Sequence, residues 1–215
     1  MIKYFFILLM SFETTLNAQD VNKPVLLSHY VFDSFTAGTV KVKSGIKSNQ
    51  KLNYNILTGE MIYDDGGKLL AIGNPEDVDT VSINGREFIP VNNKFYEVLS
   101  NTSNPLLLEF TFSIEEPGAS VGYGNATPST NATSLKTLIG TGSVYEVKLP
   151  DDFKVTPGYV YWIRTEGQLL KAGSVQQLIK IFPQKKSLIK ELVKKNKTNF
   201  SNPMDVITVV TQIQQ

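Results

Sequence analysis

Two short stretches limit what this chain can fold into. Asp64-Asp65-Gly66-Gly67 separates Glu60-Met61-Ile62-Tyr63 from Leu69-Leu70-Ala71-Ile72, and Asn84-Gly85 separates Thr80-Val81-Ser82-Ile83 from Glu87-Phe88-Ile89-Pro90-Val91. Glycine and asparagine accept the positive φ angles of the two-residue turns whose twist matches that of paired strands. Each stretch therefore predicts a β-hairpin, and two hairpins so close together predict an antiparallel sheet.

The neighbouring sequence repeats the theme. Thr39-Val40-Lys41-Val42-Lys43 alternates and stops at Ser44-Gly45, while Leu52-Asn53-Tyr54-Asn55-Ile56 alternates and stops near Thr58-Gly59. Phe95 to Leu99, Leu106 to Ile114, Val144 to Leu149 and Tyr159 to Ile163 add further runs of strand-forming residues. Tyr159-Val160-Tyr161-Trp162-Ile163 is read as a central strand covered on both faces, on one of them by the C-terminal helices, with Trp162 in the core. Short strands near ten residues apart, without helical periods between them, argue a meander that curls.

After Lys171 the period changes. Ser174 and Gln177 form a capping box ahead of Val175, Leu178, Ile179 and Phe182, which fall at helical spacing up to Pro183. Leu188, Ile189, Leu192 and Val193 mark a second helix; Asn202-Pro203 followed by Met204, Ile207, Val210 and Ile213 marks a third. The expected fold class is mainly β (α+β): an antiparallel β-meander forming a sandwich or partial barrel, with two to three short C-terminal helices.

Met1 to Ala18 carries Lys3, an apolar run from Tyr4 to Met10 and a polar end, so residues 1–18 read as a secretory signal peptide. The apolar run is much shorter than the roughly 20 residues of a membrane-spanning helix. Cleavage at Ala18 would leave 197 of the 215 residues, enough for one domain with a substantial core or two small ones. The organisation expected is a β-rich domain over 19–170, holding a Gly/Ser/Thr-rich loop at 117–143, and a helical segment over 171–215 packed on it. A hydrophobic content of 41% is that of a globular chain.

Several chemistries lose their residues. With no cysteine, the chain has no disulfide, thiol nucleophile or thiolate metal site, and a single histidine leaves little for zinc. Asp64-Asp65 and Glu76-Asp77-Val78-Asp79 lack calcium-loop spacing. Gly118-Ala119-Ser120-Val121-Gly122 fits G-x-S-x-G, but Pro117 breaks the strand that should lead in, and no helix can start at Tyr123 to Pro128. His29 precedes the serine instead of following it and lies near the expected mature N-terminus, where anchoring is poor. Glu97, Glu109, Glu146 and Glu166 are the strand carboxylates from which a glycosidase pair would have to come. No catalytic, cofactor-binding or metal-binding residue is assigned, and no cofactor is expected.

Charge is unevenly spread. Glu60 to Glu116 holds eleven acidic residues against Lys68, Arg86 and Lys94, whereas Lys171 to Lys197 holds eight lysines against Glu191. Lys185, Lys186, Lys190, Lys194, Lys195 and Lys197 are expected to serve the acidic sheet of the chain itself or a protein partner. The basic stretch lacks the interleaved aromatics of a single-strand nucleic-acid binder, and membrane-surface contact through this helix is the lesser alternative.

The segments "LNYNILTGEMIY", "NPEDVDTVSINGREFIPV", "FYEVL", "KLPDDFKVTPGYVYWI" and "NKTNFSNPMDV" resemble small secreted proteins of unknown function from Bacteroidota. That resemblance implies an envelope or periplasmic setting and carries no activity or site residue with it. The function expected is a non-catalytic exported module that binds an envelope protein or ligand. The alternatives are a carrier of an apolar ligand in a cupped sheet and a polysaccharide-acting enzyme with two strand carboxylates.

Overall fold

The computed structural model describes residues 29–115 and 154–215. The expected signal peptide, the loop at 117–143 with Ser120, the Val144–Leu149 strand and Glu146 lie outside the described residues. Ten strands form one antiparallel sheet that is not closed: β1 Thr36–Val42, β2 Lys47–Asn55, β3 Glu60–Asp65, β4 Lys68–Ala71, β5 Val78–Ile83, β6 Arg86–Val91, β7 Lys94–Ser100, β8 Leu106–Glu115, β9 Lys154–Thr165 and β10 Gln168–Lys171. Their order is β10-β9-β8-β7-β6-β5-β1-β2-β3-β4. Two meanders thus run in opposite directions from a shared seam, where Gly38 faces Ile83 and Val40 faces Val81 across β1 and β5. The seam is tight. A Cβ on Gly38 would come within 2.6 Å of the Ser82 carbonyl oxygen, which only glycine avoids.

The two predicted turns are present, with Asn84 and Gly85 at φ 51° and 75° and Gly66 and Gly67 at 63° and 97°. Two further turns of the same kind were not anticipated. Asn92 and Asn93, at 51° and 63°, join β6 to β7, and Glu166 and Gly167, at 49° and 77°, join β9 to β10.

The sheet rolls up on its β1–β7 side. Although four strands separate β3 from β7 in the order, Phe95 donates its N–H to the Gly59 carbonyl at 3.1 Å, and its own carbonyl accepts the Tyr54 hydroxyl at 3.0 Å. Val40, Leu52, Tyr54, Met61, Val78, Val81, Ile83, Phe88 and Phe95 fill the inside of the roll, each at most 8% exposed. These side chains pack against one another inside the roll.

Where β7 turns toward β3 it leaves β8, so the sheet forks. Pairing of β7 with β8 extends only to Glu97 opposite Leu108, whereas β8 pairs with β9 along its whole length. Arg164 donates to the Pro105 carbonyl and Ala172 donates to the Tyr161 carbonyl, which fixes the directions along β9: even-numbered residues face β8, odd-numbered residues face β10. On β8 the backbone groups of Leu106, Leu108, Phe110 and Phe112 consequently point toward the β7 side. Past Leu108 they point into the fork.

The second core lies beneath three helices, α1 Val175–Ile181, α2 Lys186–Lys195 and α3 Pro203–Gln214. Leu106, Leu108, Tyr161, Ile163 and Ala172 of the sheet meet Leu178, Ile189, Val206, Val209, Val210 and Ile213 of the helices, all at most 2% exposed. Ser174 caps α1 by accepting from Gln177 N–H, and Gln177 accepts in return from Gly173 N–H at 2.8 Å. Asn202 caps α3, with Pro203 in the first turn.

Two readings need correction here. The buried stripe of α3 is Val206, Val209, Val210 and Ile213; Met204 is 66% exposed. Both sets have helical spacing, and contact with the sheet selects the more β-branched one. On β9 the helices cover one face, as expected, but the other face is less enclosed than expected and Trp162 is not in the core. Tyr161 and Ile163 are buried beneath them, while Val160 and Trp162, on the opposite face, are half-buried.

Candidate functional site

The unusual cluster on the rolled face centres on Arg86. This residue opens β6 directly after the Asn84-Gly85 turn, and strand alternation puts its side chain on the same inward face as Phe88. Its Nε and Nη2 both donate to the Glu97 carboxylate at 2.6 Å, a bidentate pair in which Arg86 is 33% exposed and Glu97 10%. Around the guanidinium stand three rings, with centroids 5.1 Å away at Phe32, 5.6 Å at Phe88 and 5.5 Å at Phe110. Tyr54 stacks on Phe88 at 5.6 Å and touches Phe110 at 5.4 Å; Phe110 meets Tyr159 edge-on at 5.9 Å.

Each ring comes from a different part of the chain. Phe32 is held by Asn53, whose side-chain amide accepts from Phe32 N–H and donates to its carbonyl. Phe110 stands at the fork and packs against both cores. Tyr159, 40% exposed, is the open rim. The cradle therefore joins a cation with donors to spare beyond Glu97 to ring faces that take apolar or CH-rich surface.

The opposite face carries a row across four strands. Lys94 Nζ lies 3.2 Å from one Glu109 oxygen, Trp162 Nε1 donates to the other at 2.9 Å, and Lys171 Nζ sits 5.5 Å above the Trp162 ring. Burial, followed by the nearby Glu109 charge, raises the Tyr54 and Tyr96 hydroxyls above the usual tyrosine value. At Asp79 the hydrogen bond from Lys41, 2.6 Å long, leads in lowering the carboxyl.

Among the described residues the strand carboxylates do not come together. Glu97 faces Leu108 across the ladder, so Glu109, its sequence neighbour, points to the other side of the sheet. Each is also held by a cation. Glu166 sits in a turn at φ 49°. His29, expected to be poorly anchored, is 8% exposed and its carbonyl accepts from Ile56 N–H at 2.9 Å. Among the described residues no group of three or more His, Cys, Asp or Glu could hold a metal ion, and no helix is long and apolar enough to cross a membrane.

The lysine tail and the acidic hairpins are not joined either. Among the described residues the ion pairs are Lys41–Asp79, Arg86–Glu97 and Lys94–Glu109, and none includes a lysine of the helical layer. Lys185 caps α3 by donating to the Ile213 carbonyl, as a cation at a helix C-terminus does.

Sequence reading did not select Arg86. The signal was present as a charged residue in alternation with Phe88 on the face expected to be inward. The rings around it, at positions 32, 88 and 110, come together only through the roll. In comparisons with known proteins the chain matches no family model, no curated protein and no solved structure.

Proposed function

We propose that this chain is a non-catalytic, exported binding module that works in the cell envelope or periplasm, in line with the signal-peptide reading and the resemblance to secreted Bacteroidota proteins. The observation that carries the binding role is the Arg86 cradle. A guanidinium one-third exposed, set among aromatic faces with Tyr159 at the rim, offers directed donors and ring surface in one place. Such a combination recognises an apolar or CH-rich ligand that carries hydrogen-bond acceptors.

The two alternatives find less support. A carrier would need room inside the roll, and Tyr54, Phe88, Phe95, Leu52 and Met61 fill it at 1% exposure or less. A two-carboxylate enzyme would need two of its strand carboxylates on one face, and Glu97 and Glu109 lie on opposite faces.

Native mass spectrometry of protein purified from its own host tests the reading. A retained ligand or partner chain, lost when Tyr159 is changed to Ala, is the expected result. Ser120→Ala is expected to leave any measured activity unchanged; loss of a hydrolase activity in that variant, with folding intact, overturns the non-catalytic reading.

A further inference from the structure

The lysines of α2 stand where stability does not ask for them. Lys186 is the first residue of the helix, no acidic residue occupies the first turn, and the residue before it is Lys185. The partial positive charge of a helix N-terminus disfavours cations at this end, so the helix dipole accounts for Lys194 and Lys195 but not for Lys186 or Lys190. Lys186, Lys190 and Lys194 also recur every four residues, about 6 Å apart along one side of the helix, where like charges repel. Lys197 follows just beyond the end.

These four residues, with Lys180 and Lys195, are exposed, and among the described residues none is joined to a carboxylate. From Lys171 onward the chain has eight lysines and no arginine, against Glu191 and Asp205. The acidic turn at Asp64-Asp65 and the acidic Glu76-Asp77 segment belong to the β1–β5 part of the sheet, away from the β8–β10 strands that the helices cover.

We propose that the helical layer docks, through the exposed lysine row of α2, on the surface of an anionic lipid bilayer without inserting into it. Lysine is a hydrated point charge on a flexible stem, suited to a diffuse field of headgroups; arginine is the residue that reads a fixed carboxylate or phosphate through a planar fork. The absence of arginine from this layer fits a charged surface better than a shaped partner. Insertion is not part of the proposal, because Ile189 is buried in the core and Leu192 and Val193 are packed against it, while Leu188 is the exposed apolar residue of the helix at 37%. None of these lysines is a residue of the Arg86 cradle. The lysine row adds a location to the binding-module reading, and the test below addresses it without that site.

The test is co-sedimentation of the full chain with phosphatidylcholine vesicles, with and without phosphatidylserine, at about 0.1 M and about 1 M salt, where the screening length falls from ~10 to ~3 Å. The expected result is binding to the phosphatidylserine vesicles alone, lost at high salt. Replacing Lys186, Lys190, Lys194 and Lys197 with Gln is expected to weaken it by roughly fivefold per charge removed. Equal binding to neutral vesicles, or no binding at the lower salt, overturns the proposal, and the wild-type salt series decides this without any variant. Binding to soluble polyglutamate in the absence of vesicle binding overturns it too, in favour of an acidic protein. Far-UV circular dichroism is expected to be unchanged in the glutamine variant, since all four side chains are exposed.

Discussion

Arg86 and Glu97 are unequal halves of one pair. Glu97 is the more enclosed, and its two oxygens have the guanidinium as partner; Arg86 keeps a third of its side chain in water. Removing Arg86 strands a carboxylate beneath aromatic rings, whereas removing Glu97 leaves a cation that can turn outward. Arg86→Ala is expected to cost roughly 2–4 kcal/mol, somewhat below the full cost of breaking a buried pair, and Glu97→Ala about 1 kcal/mol. Urea denaturation of both variants measures the difference, and equal losses would refute the asymmetry. Tyr161 offers a separate test. Its hydroxyl is buried without a hydrogen-bond partner among the described residues, and burial above all pushes it up to about 12 from 10.0. A folded-state value raised in this way gives stability that is complete below pH 10 and is lost as pH climbs through about 12. Tyr161→Phe, which also removes an unpaired polar atom, is expected to raise stability at pH 7 by up to about 1 kcal/mol and to reduce the loss between pH 10 and 12. A steeper loss in the variant would contradict the assignment.

At the level of single elements, the fork in β8 separates two kinds of backbone. Leu108 pairs with Glu97, whereas Phe110 and Phe112 point their amides to a side that β7 has already left. Native-state hydrogen exchange is expected to show Leu108 among the slowly exchanging amides and Phe112 faster by at least about tenfold. Similar protection at both sites would mean that the fork is closed in solution. The elements themselves differ in how far the sequence announces them. Asn84-Gly85, Asp64 to Gly67, the Ser174–Gln177 box and Asn202-Pro203 act within a few residues, and all four were legible. Asn92-Asn93 carried the same information in a weaker form, since asparagine tolerates positive φ without being committed to it. Glu166 gave no sign, and β10 was missed with that turn. The fork was beyond local reading, because it depends on Gly59 reaching Phe95 across 36 positions. The cradle has the same difficulty: alternation could show that Arg86 shares a face with Phe88, but nothing near either residue says that Phe32 and Phe110 would close around it.

Over the whole molecule, the two meanders behave differently from the line that joins them. Within β1 to β4, and again within β5 to β8, each strand pairs with one a short turn away. The seam between β1 and β5 is non-local, as is the β8–β9 pairing across residues 116–153: Val40 must find Val81 after the chain has completed β2, β3 and β4. Closing such a loop costs entropy before its contacts give any return. The seam therefore bears on time as well as on stability. Residues on it should already be engaged at the folding barrier, and residues of the helical cover should join later. Val81→Ala is expected to slow refolding by several-fold with little change in unfolding, while Val209→Ala mainly speeds unfolding. Stopped-flow chevron measurements of the two variants would separate these arms, and a Val81 variant whose loss appeared only in the unfolding arm would place the seam after the barrier. Gly38 then acquires a kinetic meaning: the bare backbone that lets β1 lie against Ser82 also bears on how readily β1 finds β5 as the chain folds.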